Sequence, residues 1–482
     1  MGDSMKSGLR NFVDGKYVDC AGASRIKVLN PASGKLIGDI PDSGEAEVNS
    51  AVAAAKAAQI GWAKLPPVAR AGYLKRIAAR IREKSEAIAR SVVNEQGKTL
   101  GLAMGEVNFA SEYFDYMAEW ARRIEGEVIS SDRPGETMLM LRQPIGVVAG
   151  ILPWNFPFFL IARKVAPALV AGNAVVVKPS EETPMSADLF AQIVMECELP
   201  VGVVNLVYGR GASTGAALSA HPDVDMLSFT GSVQTGSRIM ELAARNITKV
   251  NLELGGKAPA IVMQDADLEL AVSAIKGGRL LNSGQACNCP ERIYVHRSIH
   301  DQFVERLASA MSAATFGDPL GDKAVDMGPL INEGHMEKVR LMVGRATEDG
   351  AELVTGGNAV EQDGGFYFEP TVLIGCKQNA EIMQREVFGP VLPVNAFDTL
   401  DEAITRANDS DYGLTSAIYT RDLSTALRAC NEVRFGETYI NRENFEALQG
   451  FHAGVRHSGL GGADGKYGLY ENMVHHVVYM QQ

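Results

Sequence analysis

Cysteine is scarce in this chain, which has six such residues scattered over 482 positions. Their spacing shows no framework of paired cysteines, so the class of small disulfide-rich secreted proteins is excluded. No charged segment followed by an apolar one opens the sequence in the manner of a signal peptide. We therefore expect a cytoplasmic protein with reduced thiols. No cluster of cysteine and histidine accompanies the cysteines, so we expect no metal site.

Positive charge is also in deficit, with 46 lysines and arginines against 58 acidic residues and a net charge of -12. This balance argues against nucleic acid or an anionic membrane as the main partner. One uncharged run, residues 144–162, approaches the length of a membrane span, but Pro153, Asn155 and Pro157 interrupt it. A buried strand, a turn and the start of a helix fit this run better, so we expect no membrane partner.

The chain is too long for a single core and is expected to fold as two or three domains. Residues 10–45 have the pattern of short strands, and residues 45–126 have apolar positions at helical spacing. From residue 146 onward, apolar strands alternate with helices, which indicates a parallel sheet covered on both faces. The alternation starts again after residue 249. The predicted strands lie at 146–152, 174–178, 202–208, 226–229, 259–263, 292–295 and, at the end of the chain, 473–480.

A cysteine in a polar loop is the strongest candidate for chemistry. Cys287 lies in the stretch Asn282-Ser283-Gly284-Gln285-Ala286-Cys287-Asn288-Cys289, where small and polar neighbours leave it open to close approach. A cysteine used for packing sits more often among branched apolar residues. The surrounding amides and side chains favour a thiolate. Cys289, two residues on, is either a filler or the partner of a protective disulfide, and we favour a filler.

Two other polar residues have functional and structural interpretations. Glu253 stands between apolar residues before two glycines, so burial is expected to raise its pKa towards neutrality, as suits a general base. The alternative is an exposed glutamate on a half-buried strand. Asn155 lies in the rigid turn Pro153-Trp154-Asn155-Phe156-Pro157, where its amide can stabilise an oxyanion. Its alternative role is to cap the following helix.

Two motifs indicate a nucleotide. The run from Gly231 to Gly236 follows a strand and opens a helix, where free amides favour phosphate. Lys178 and Glu181 follow another strand, at the edge where open α/β sheets bind ligands, and can hold ribose hydroxyls. A plain turn and a solvated loop are the respective alternatives.

Together these residues resemble the NAD(P)-dependent aldehyde dehydrogenase superfamily over nearly the whole chain. The matching motifs occur in the family's order: PWNFP (153–157), KPSE (178–181), FTGSVQTG (229–236), LELGGK (252–257), NSGQAC (282–287) and EVFGP (386–390). The resemblance implies an α/β fold with three parts. These are a Rossmann-type NAD-binding domain at 1–127 and 147–255, an α/β catalytic domain at 256–457, and a small β oligomerisation extension at 128–146 and 458–482. It also implies a homo-oligomer, either a tetramer or a dimer.

The resemblance also assigns roles by position. Cys287 resembles the family's nucleophile, Glu253 its general base, and Asn155 the oxyanion donor. The implied reaction forms a thiohemiacetal and then a thioester on the cysteine, which water hydrolyses. The residues implied to bind the cofactor NAD are Ile151, Trp154, Lys178, Glu181, Gly231, Ser232, Gly236, Leu254, Glu386 and Phe388. A further acid that many relatives carry near the C-terminus is Ala463 here, so either Asp464 substitutes for it or the proton relay is absent.

Three stretches, at 153–164, 282–289 and 440–454, resemble the bacterial lactaldehyde and glycolaldehyde dehydrogenases of this superfamily. The residues implied to line the substrate tunnel are Phe156, Arg163, Asn288, Glu443 and His452. This mixture suits a small hydroxyaldehyde. Arg163 leaves an alternative open, because it can bind an anionic aldehyde such as succinic semialdehyde or sulfolactaldehyde, or it can pair with Glu443. A non-catalytic protein on this fold is the remaining hypothesis.

Overall fold

The computed structural model describes residues 8–20 and 22–482, so residues 1–7 and 21 of the predicted segment 1–127 lie outside the described residues. Up to residue 254 the strands are β1 (Asn11–Val13), β2 (Lys16–Val18), β3 (Arg25–Leu29), β4 (Leu36–Pro41), β5 (Glu127–Ser130), β6 (Glu136–Pro144), β7 (Val147–Ile151), β8 (Ala174–Lys178), β9 (Val204–Leu206), β10 (Met226–Gly231) and β11 (Lys249–Leu254). The helices of the same part are α1 (Glu45–Lys64), α2 (Pro67–Glu83), α3 (Ser85–Gln96), α4 (Leu100–Glu119), α5 (Pro157–Ala171), α6 (Met185–Glu196), α7 (Ala216–Ser219) and α8 (Val233–Ala243).

In the second half the strands are β12 (Ala258–Val262), β13 (Pro290–His296), β14 (Glu352–Thr355), β15 (Ala359–Gln362), β16 (Gly365–Phe368), β17 (Thr371–Ile374), β18 (Val391–Phe397), β19 (Thr415–Tyr419), β20 (Glu437–Ile440), β21 (Gly459–Leu460) and β22 (Met473–Gln481). The helices are α9 (Leu268–Leu280), α10 (His300–Ser312), α11 (Glu333–Glu348), α12 (Glu381–Gln384), α13 (Leu400–Asn408), α14 (Leu423–Glu432) and α15 (Gly465–Glu471). Within the described residues, every helix is too short or too polar to cross a membrane.

The first large sheet has the strand order β2-β1-β9-β8-β7-β10-β11-β21. Its five central strands, β9, β8, β7, β10 and β11, run parallel. In chain order these are the third, second, first, fourth and fifth, which is the doubly wound order of nucleotide-binding sheets. The chain therefore reverses direction across the sheet between β7 and β10. Ligands bind outside the carboxyl ends of the strands at such a point, here after Ile151 and Gly231.

The second large sheet has the order β14-β17-β18-β13-β12-β19-β20, in which all neighbours except β14 run parallel. The predicted α/β architecture with two parallel sheets is confirmed. The terminal strand β22 was also predicted, and it pairs with β6 over nine residues in an antiparallel sheet ordered β22-β6-β5. Strands β1 and β2 form a hairpin with Asp14-Gly15 at its turn, in the segment where short strands were predicted.

Helix α5 connects the first sheet to the site. All fifteen of its residues are buried, among them the charged residues Arg163 and Lys164. It begins at Pro157, and proline is well tolerated in the first turn of a helix. A helix buried on all sides can carry charged side chains only where carboxylates meet them. The carboxylates that pair with Arg163 and Lys164 lie in the candidate active site.

Candidate active site

Several distant chain segments line one cavity of about 250 Å³. The cysteine loop, the turn after β7, helix α5 and the end of β11 contribute to its wall, together with the irregular segment 441–454. The residues that matter for chemistry on this wall are Asn155, Arg163, Glu253, Cys287, Glu446 and His452. The three predicted catalytic residues, which are far apart in the sequence, therefore lie around the same space.

The Cys287 loop is held by buried side chains. Gln285 accepts a hydrogen bond from the Ile331 amide (2.9 Å), and the Ser283 hydroxyl donates to the Gly328 carbonyl (2.7 Å). The backbone is left-handed at Asn282 and Ser283, with φ values of 48° and 58°. Such conformations persist where surrounding contacts over-determine them. Cys287 itself is only half-buried, so the thiol is rigidly placed and reachable from the cavity.

Cys289 is buried beneath this loop. Its sulfur lies 2.9 Å from the Ala286 carbonyl oxygen and 3.0 Å from a guanidinium nitrogen of Arg279. Burial raises the pKa of this thiol to about 11 in spite of the arginine. A protonated, enclosed thiol agrees with a packing role, and both Cys287 and Cys289 are free thiols.

The Asn155 side chain is directed at the cysteine loop. Its Nδ2 donates to the Gln285 carbonyl (3.0 Å), while its Oδ1 is buried without a hydrogen-bond partner among the described residues. Its backbone carbonyl accepts from Lys98 Nζ (2.7 Å) and from Asn282 Nδ2 (3.0 Å). The alternative of a helix cap does not hold, because the N-cap of α5 is Phe156 and no side chain of that residue caps the helix. One Nδ2 hydrogen remains available for a ligand.

Glu253 is buried at the end of β11, so the alternative of an exposed glutamate is wrong. The expectation of a pKa near neutrality is wrong as well. Burial does raise the pKa, but Lys164 at 2.8 Å, Arg163 at 3.8 Å and the nearby His452 outweigh it and hold the pKa at about 2. Thr230 also donates to this carboxylate (3.0 Å). Glu253 is therefore ionised and engaged in an ion pair in this structure.

Arg163 is surrounded by carboxylates. It contacts Asp464 (2.6 Å) and Glu446 (2.8 Å), and a third carboxylate, Glu253, lies 3.8 Å away. The alternative in which Arg163 pairs with Glu443 is wrong. Glu443 is half-exposed, pairs with its neighbour Arg442 and does not line the cavity. The irregular segment 441–454 turns Glu446 inward instead, three residues later.

Glu446 connects the predicted substrate residues. Besides Arg163 it accepts a hydrogen bond from Asn288 Nδ2 (2.7 Å). Burial raises its pKa, but the positive charges of His452 and Arg163 hold it at about 2. His452 in turn contacts Glu437 through Nδ1 (2.5 Å). Burial lowers the pKa of His452, yet Glu446, a hydrogen bond with the Cys287 thiol and Glu437 raise it well above its ordinary value.

A second cavity of about 190 Å³ adjoins the first and shares Asn155, Glu253 and Cys287 with it. Six predicted cofactor residues line it: Trp154, Gly231, Ser232, Leu254, Glu386 and Phe388. It opens at the reversal point of the first sheet. The Glu386 carboxylate accepts from the Gly256 amide (2.8 Å). Burial and the charge of Glu291 raise its pKa to about 7.

The other predicted cofactor residues lie along the same sheet edge as Gly231 and Ser232. Ile151 ends β7 and Gly231 ends β10, and Ser232 caps α8 by accepting from the Thr235 amide. Lys178 ends β8 and pairs with Glu181 at 3.2 Å. At Gly236 a Cβ atom would come within 2.7 Å of Leu254, so glycine allows α8 to approach β11. A helix N-terminus, a lysine and a carboxylate along one edge fit a dinucleotide.

Sequence reasoning missed several residues of the two cavities. His335 and Lys338 of α11 line the second cavity, and His335 contacts the Phe388 carbonyl oxygen (2.7 Å). Glu446 and Glu106 line the first. Glu106 could have been suspected as a lone acid on an apolar helix face between Ala103 and Val107. No local signal distinguishes Glu446 from Glu443.

Comparisons with known proteins identify the family. The model of the aldehyde dehydrogenase family matches residues 17–478. Lactaldehyde dehydrogenase of Escherichia coli (strain K12) is 57% identical over 470 residues, which is 98% of each chain. A crystal structure of lactaldehyde dehydrogenase from Escherichia coli superposes with a TM-score of 0.98 at 56% identity, covering 99% of this chain and 100% of that chain. Betaine aldehyde dehydrogenase from Staphylococcus aureus in complex with NAD+ superposes with a TM-score of 0.96 at 35% identity, covering 99% and 95%. A match over nearly the whole length shows that the chain is an oxidoreductase and belongs to the aldehyde dehydrogenase family.

Proposed function

We propose that the protein oxidises a small, uncharged hydroxyaldehyde of the lactaldehyde or glycolaldehyde type to its carboxylic acid, with NAD as oxidant. The observation that carries this proposal is the charge balance of the cavity. Three cations, Arg163, Lys164 and His452, face four carboxylates, Glu253, Glu437, Glu446 and Asp464. The cavity therefore offers polar contacts without a net positive charge. The similarity to lactaldehyde dehydrogenase supports the same substrate class.

The walls of the cavity favour a short substrate. Phe156, Phe159 and Phe445 supply apolar surface, and Asn288, Glu446 and His452 supply donors and acceptors. A substrate hydroxyl can bond to these buried polar groups. A fatty or aromatic aldehyde would leave them unpaired, at a cost of about 1–3 kcal/mol for each group. A hydroxyl next to the carbonyl therefore matches the site.

An anionic aldehyde such as succinic semialdehyde or sulfolactaldehyde is the weaker alternative. It requires Arg163 to bind the anion, but Glu446 and Asp464 already occupy that guanidinium. An anion would either displace a buried carboxylate or lie beside it, and like charges at such distances are unfavourable. The hypothesis of a non-catalytic protein on this fold is set aside by the family assignment and by the convergence of Cys287, Glu253 and Asn155.

The mechanism follows from the placement of these three residues. Cys287 Sγ attacks the aldehyde carbon as a thiolate, and the carbonyl oxygen becomes an oxyanion stabilised by Asn155 Nδ2 and the Cys287 amide. The chemistry that NAD supplies when bound is acceptance of the hydride, which leaves a thioester on the sulfur. Glu253 then takes a proton from a water molecule, the water attacks the thioester, and the acid departs as the thiolate is restored.

Glu253 cannot act as a base while it is paired with Lys164, because a carboxylate with a pKa of about 2 takes a proton poorly. Water activation therefore requires this carboxylate to leave the 2.8 Å ion pair. Away from Lys164, burial is the main influence on the carboxylate and raises its pKa.

Glu181 supports NAD rather than NADP. Its carboxylate lies beside Lys178 at the sheet edge and accepts from the Gly211 amide. If the adenine ribose binds there, a carboxylate bonds its free hydroxyls and repels a 2′-phosphate. The proposed NAD-binding domain is 1–127 with 147–255, the catalytic domain is 256–457, and the oligomerisation extension is 128–146 with 458–482. We also place the protein in the cytoplasm as a homo-oligomer, either a tetramer or a dimer.

A pair of substrates that differ by one hydroxyl tests the function. The value of kcat/KM with NAD is measured for lactaldehyde and for propionaldehyde, and then for glycolaldehyde, succinic semialdehyde and sulfolactaldehyde. We expect lactaldehyde to exceed propionaldehyde by about 10- to 100-fold, as one hydrogen bond to a charged partner predicts. Cys287→Ala should abolish turnover and retain NAD binding. A preference for the anionic aldehydes, or no turnover of any aldehyde, would contradict the proposal.

The variant Glu446→Gln tests the charge argument. It keeps the shape of the side chain and removes one of the carboxylates that neutralise Arg163. We expect a lower kcat/KM for lactaldehyde. We also expect a smaller difference between the kcat/KM values for lactaldehyde and succinic semialdehyde. Glu443→Gln is the matched control, because Glu443 is three residues away, half-exposed and outside the cavity. Equal effects of the two substitutions would refute the role of Glu446.

A further inference from the structure

A buried ion pair next to the first cavity has no part in the chemistry described above. Lys98 Nζ lies 2.6 Å from a carboxylate oxygen of Glu106, and both side chains are fully buried. Removing two charges from water is costly, and replacing such a pair with apolar groups is often neutral or stabilising. The pair is therefore not explained by stability alone. Its other contacts indicate what it does.

Both members of the pair contact the turn that carries Asn155. Lys98 Nζ donates to the Asn155 carbonyl (2.7 Å) and lies 3.7 Å from the centre of the Phe156 ring. One oxygen of Glu106 accepts from the Phe158 amide (2.9 Å) and from the Phe159 amide (3.1 Å). The turn is thus held at its beginning by the lysine and at its end by the glutamate.

Helix α5 depends on Glu106 for its cap. Its N-cap residue, Phe156, offers no side-chain acceptor, and its first residue is Pro157. The free amides at a helix start favour a negative charge. Glu106 supplies that charge from the neighbouring helix α4. Glu106, which precedes Phe158 by 52 residues in the sequence, therefore positions the start of α5. It thereby also positions Asn155 where this residue enters the cavity.

We propose that Lys98 and Glu106 are positioning residues that hold Asn155 at the distance from Cys287 at which its amide stabilises the oxyanion. This inference rests on the proposed function of Asn155. The Asn155 side chain has few other restraints among the described residues, since its Oδ1 has no partner and its Nδ2 bonds only to the cysteine loop. A misplacement of about 1 Å in such a group can lower a rate about 100-fold.

The test removes both charges together with Lys98→Met/Glu106→Gln, because loss of one alone leaves the other uncompensated. The rate of the first NADH burst is measured at saturating NAD and lactaldehyde, and KM for NAD is measured separately. We expect the burst to slow by about 10- to 100-fold. The KM for NAD should stay within about twofold, because neither residue lines the second cavity. Lys98→Met alone is the second variant. Without the lysine, the Glu106 carboxyl can stay buried because it can take a proton and become neutral.

A double-mutant cycle with Asn155→Ala separates positioning from general destabilisation. If the pair acts through Asn155, its removal should slow the burst less than about twofold further in the Asn155→Ala background. The same slowing in both backgrounds would overturn the inference, and so would a wild-type burst in the pair variant. Two results would instead refute the proposed function. One is that the wild-type enzyme oxidises no aldehyde, and the other is that Asn155→Ala leaves the burst rate unchanged.

Glu95→Gln provides the matched control. Glu95 is fully buried and accepts from the Met185 and Ser186 amides, so it caps the start of α6 as Glu106 caps that of α5. Among the described residues, it makes no hydrogen bond to the turn at residues 155–159. We expect Glu95→Gln to lower the melting temperature while leaving the burst rate at saturating NAD unchanged. A burst slowed as much as in the Lys98→Met/Glu106→Gln variant would show that loss of any helix cap suffices, and would overturn the inference.

Discussion

Replacing Lys164 with methionine should expose the titration of Glu253. Lys164 Nζ lies 2.8 Å from the Glu253 carboxylate, and the two side chains are 3% and 4% exposed. An opposite charge this close lowers the pKa of a carboxyl by about 1–3. Methionine keeps the unbranched shape of lysine and removes the charge. The pKa of Glu253 should therefore rise from about 2 to roughly 3–5.

The consequence for the reaction appears on the acid side of the pH profile. Protonated Glu253 cannot take a proton from water, so hydrolysis of the thioester should fall as pH drops through its pKa. In the wild-type enzyme we expect this decline near pH 2, which is outside the usable range. In Lys164→Met it should move into the interval from about pH 3 to 5. A rise of one in the pKa of Glu253 corresponds to about 1.4 kcal/mol of lost preference for the carboxylate.

The assay is kcat between about pH 3 and pH 8, the range that brackets the expected decline, with the NADH burst recorded at each pH to separate thioester formation from its hydrolysis. Glu253→Gln is the control, since it has no titrating group and should be slow throughout. Lys164→Met should also be less stable than the wild type, because removing one partner of a buried pair costs about 3–5 kcal/mol. If kcat falls at the same acidic pH in the wild type and in Lys164→Met, the electrostatic account of Glu253 is refuted.

Two further predictions concern Glu181 at the sheet edge and His335 in the second cavity. Glu181→Ser should raise kcat/KM with NADP by about tenfold or more and lower it with NAD, because a carboxylate at the ribose repels the 2′-phosphate; unchanged cofactor preference would contradict this placement. Burial lowers the pKa of His335 from 6.5 to about 4, so its stabilising contribution is present above pH 6.5 and is lost as pH falls towards 4. His335→Gln should therefore lose less stability than the wild type between about pH 7 and pH 5, by at most about 2 kcal/mol in denaturation midpoints. Parallel pH dependence of the two proteins would show that this histidine is not buried in its neutral form.

Much of the fold was predictable because its signals are local. The apolar runs at β7, β8 and β12 mark buried parallel strands, and the helical spacing between residues 45 and 126 became helices α1 to α4. The glycine-bearing run after β10 was predicted to open a helix, and Ser232 caps that helix. Cys287 stood out because a thiol in a polar loop is unusual for packing.

The electrostatics of the site were not predictable in the same way. Glu253 was expected to have a raised pKa because its immediate neighbours are apolar, and burial does act in that direction. The opposite outcome comes from Lys164, 89 residues away in sequence. Likewise Arg163 meets Asp464 across 301 positions. Ion pairs between residues so far apart in the sequence produce no local or periodic pattern from which they could be predicted.

The sequence by itself determined the order of strands and helices, the family motifs and the identity of the nucleophilic loop, because these depend on short-range preferences and nearby residue types. Only the tertiary structure decided which charges meet inside the cavity. Glu446 rather than Glu443 faces Arg163, and Lys98 with Glu106 holds the turn at Asn155. The physical reason is that buried charges are governed by partners brought close through folding, and Coulomb interactions depend on distance in space rather than along the chain.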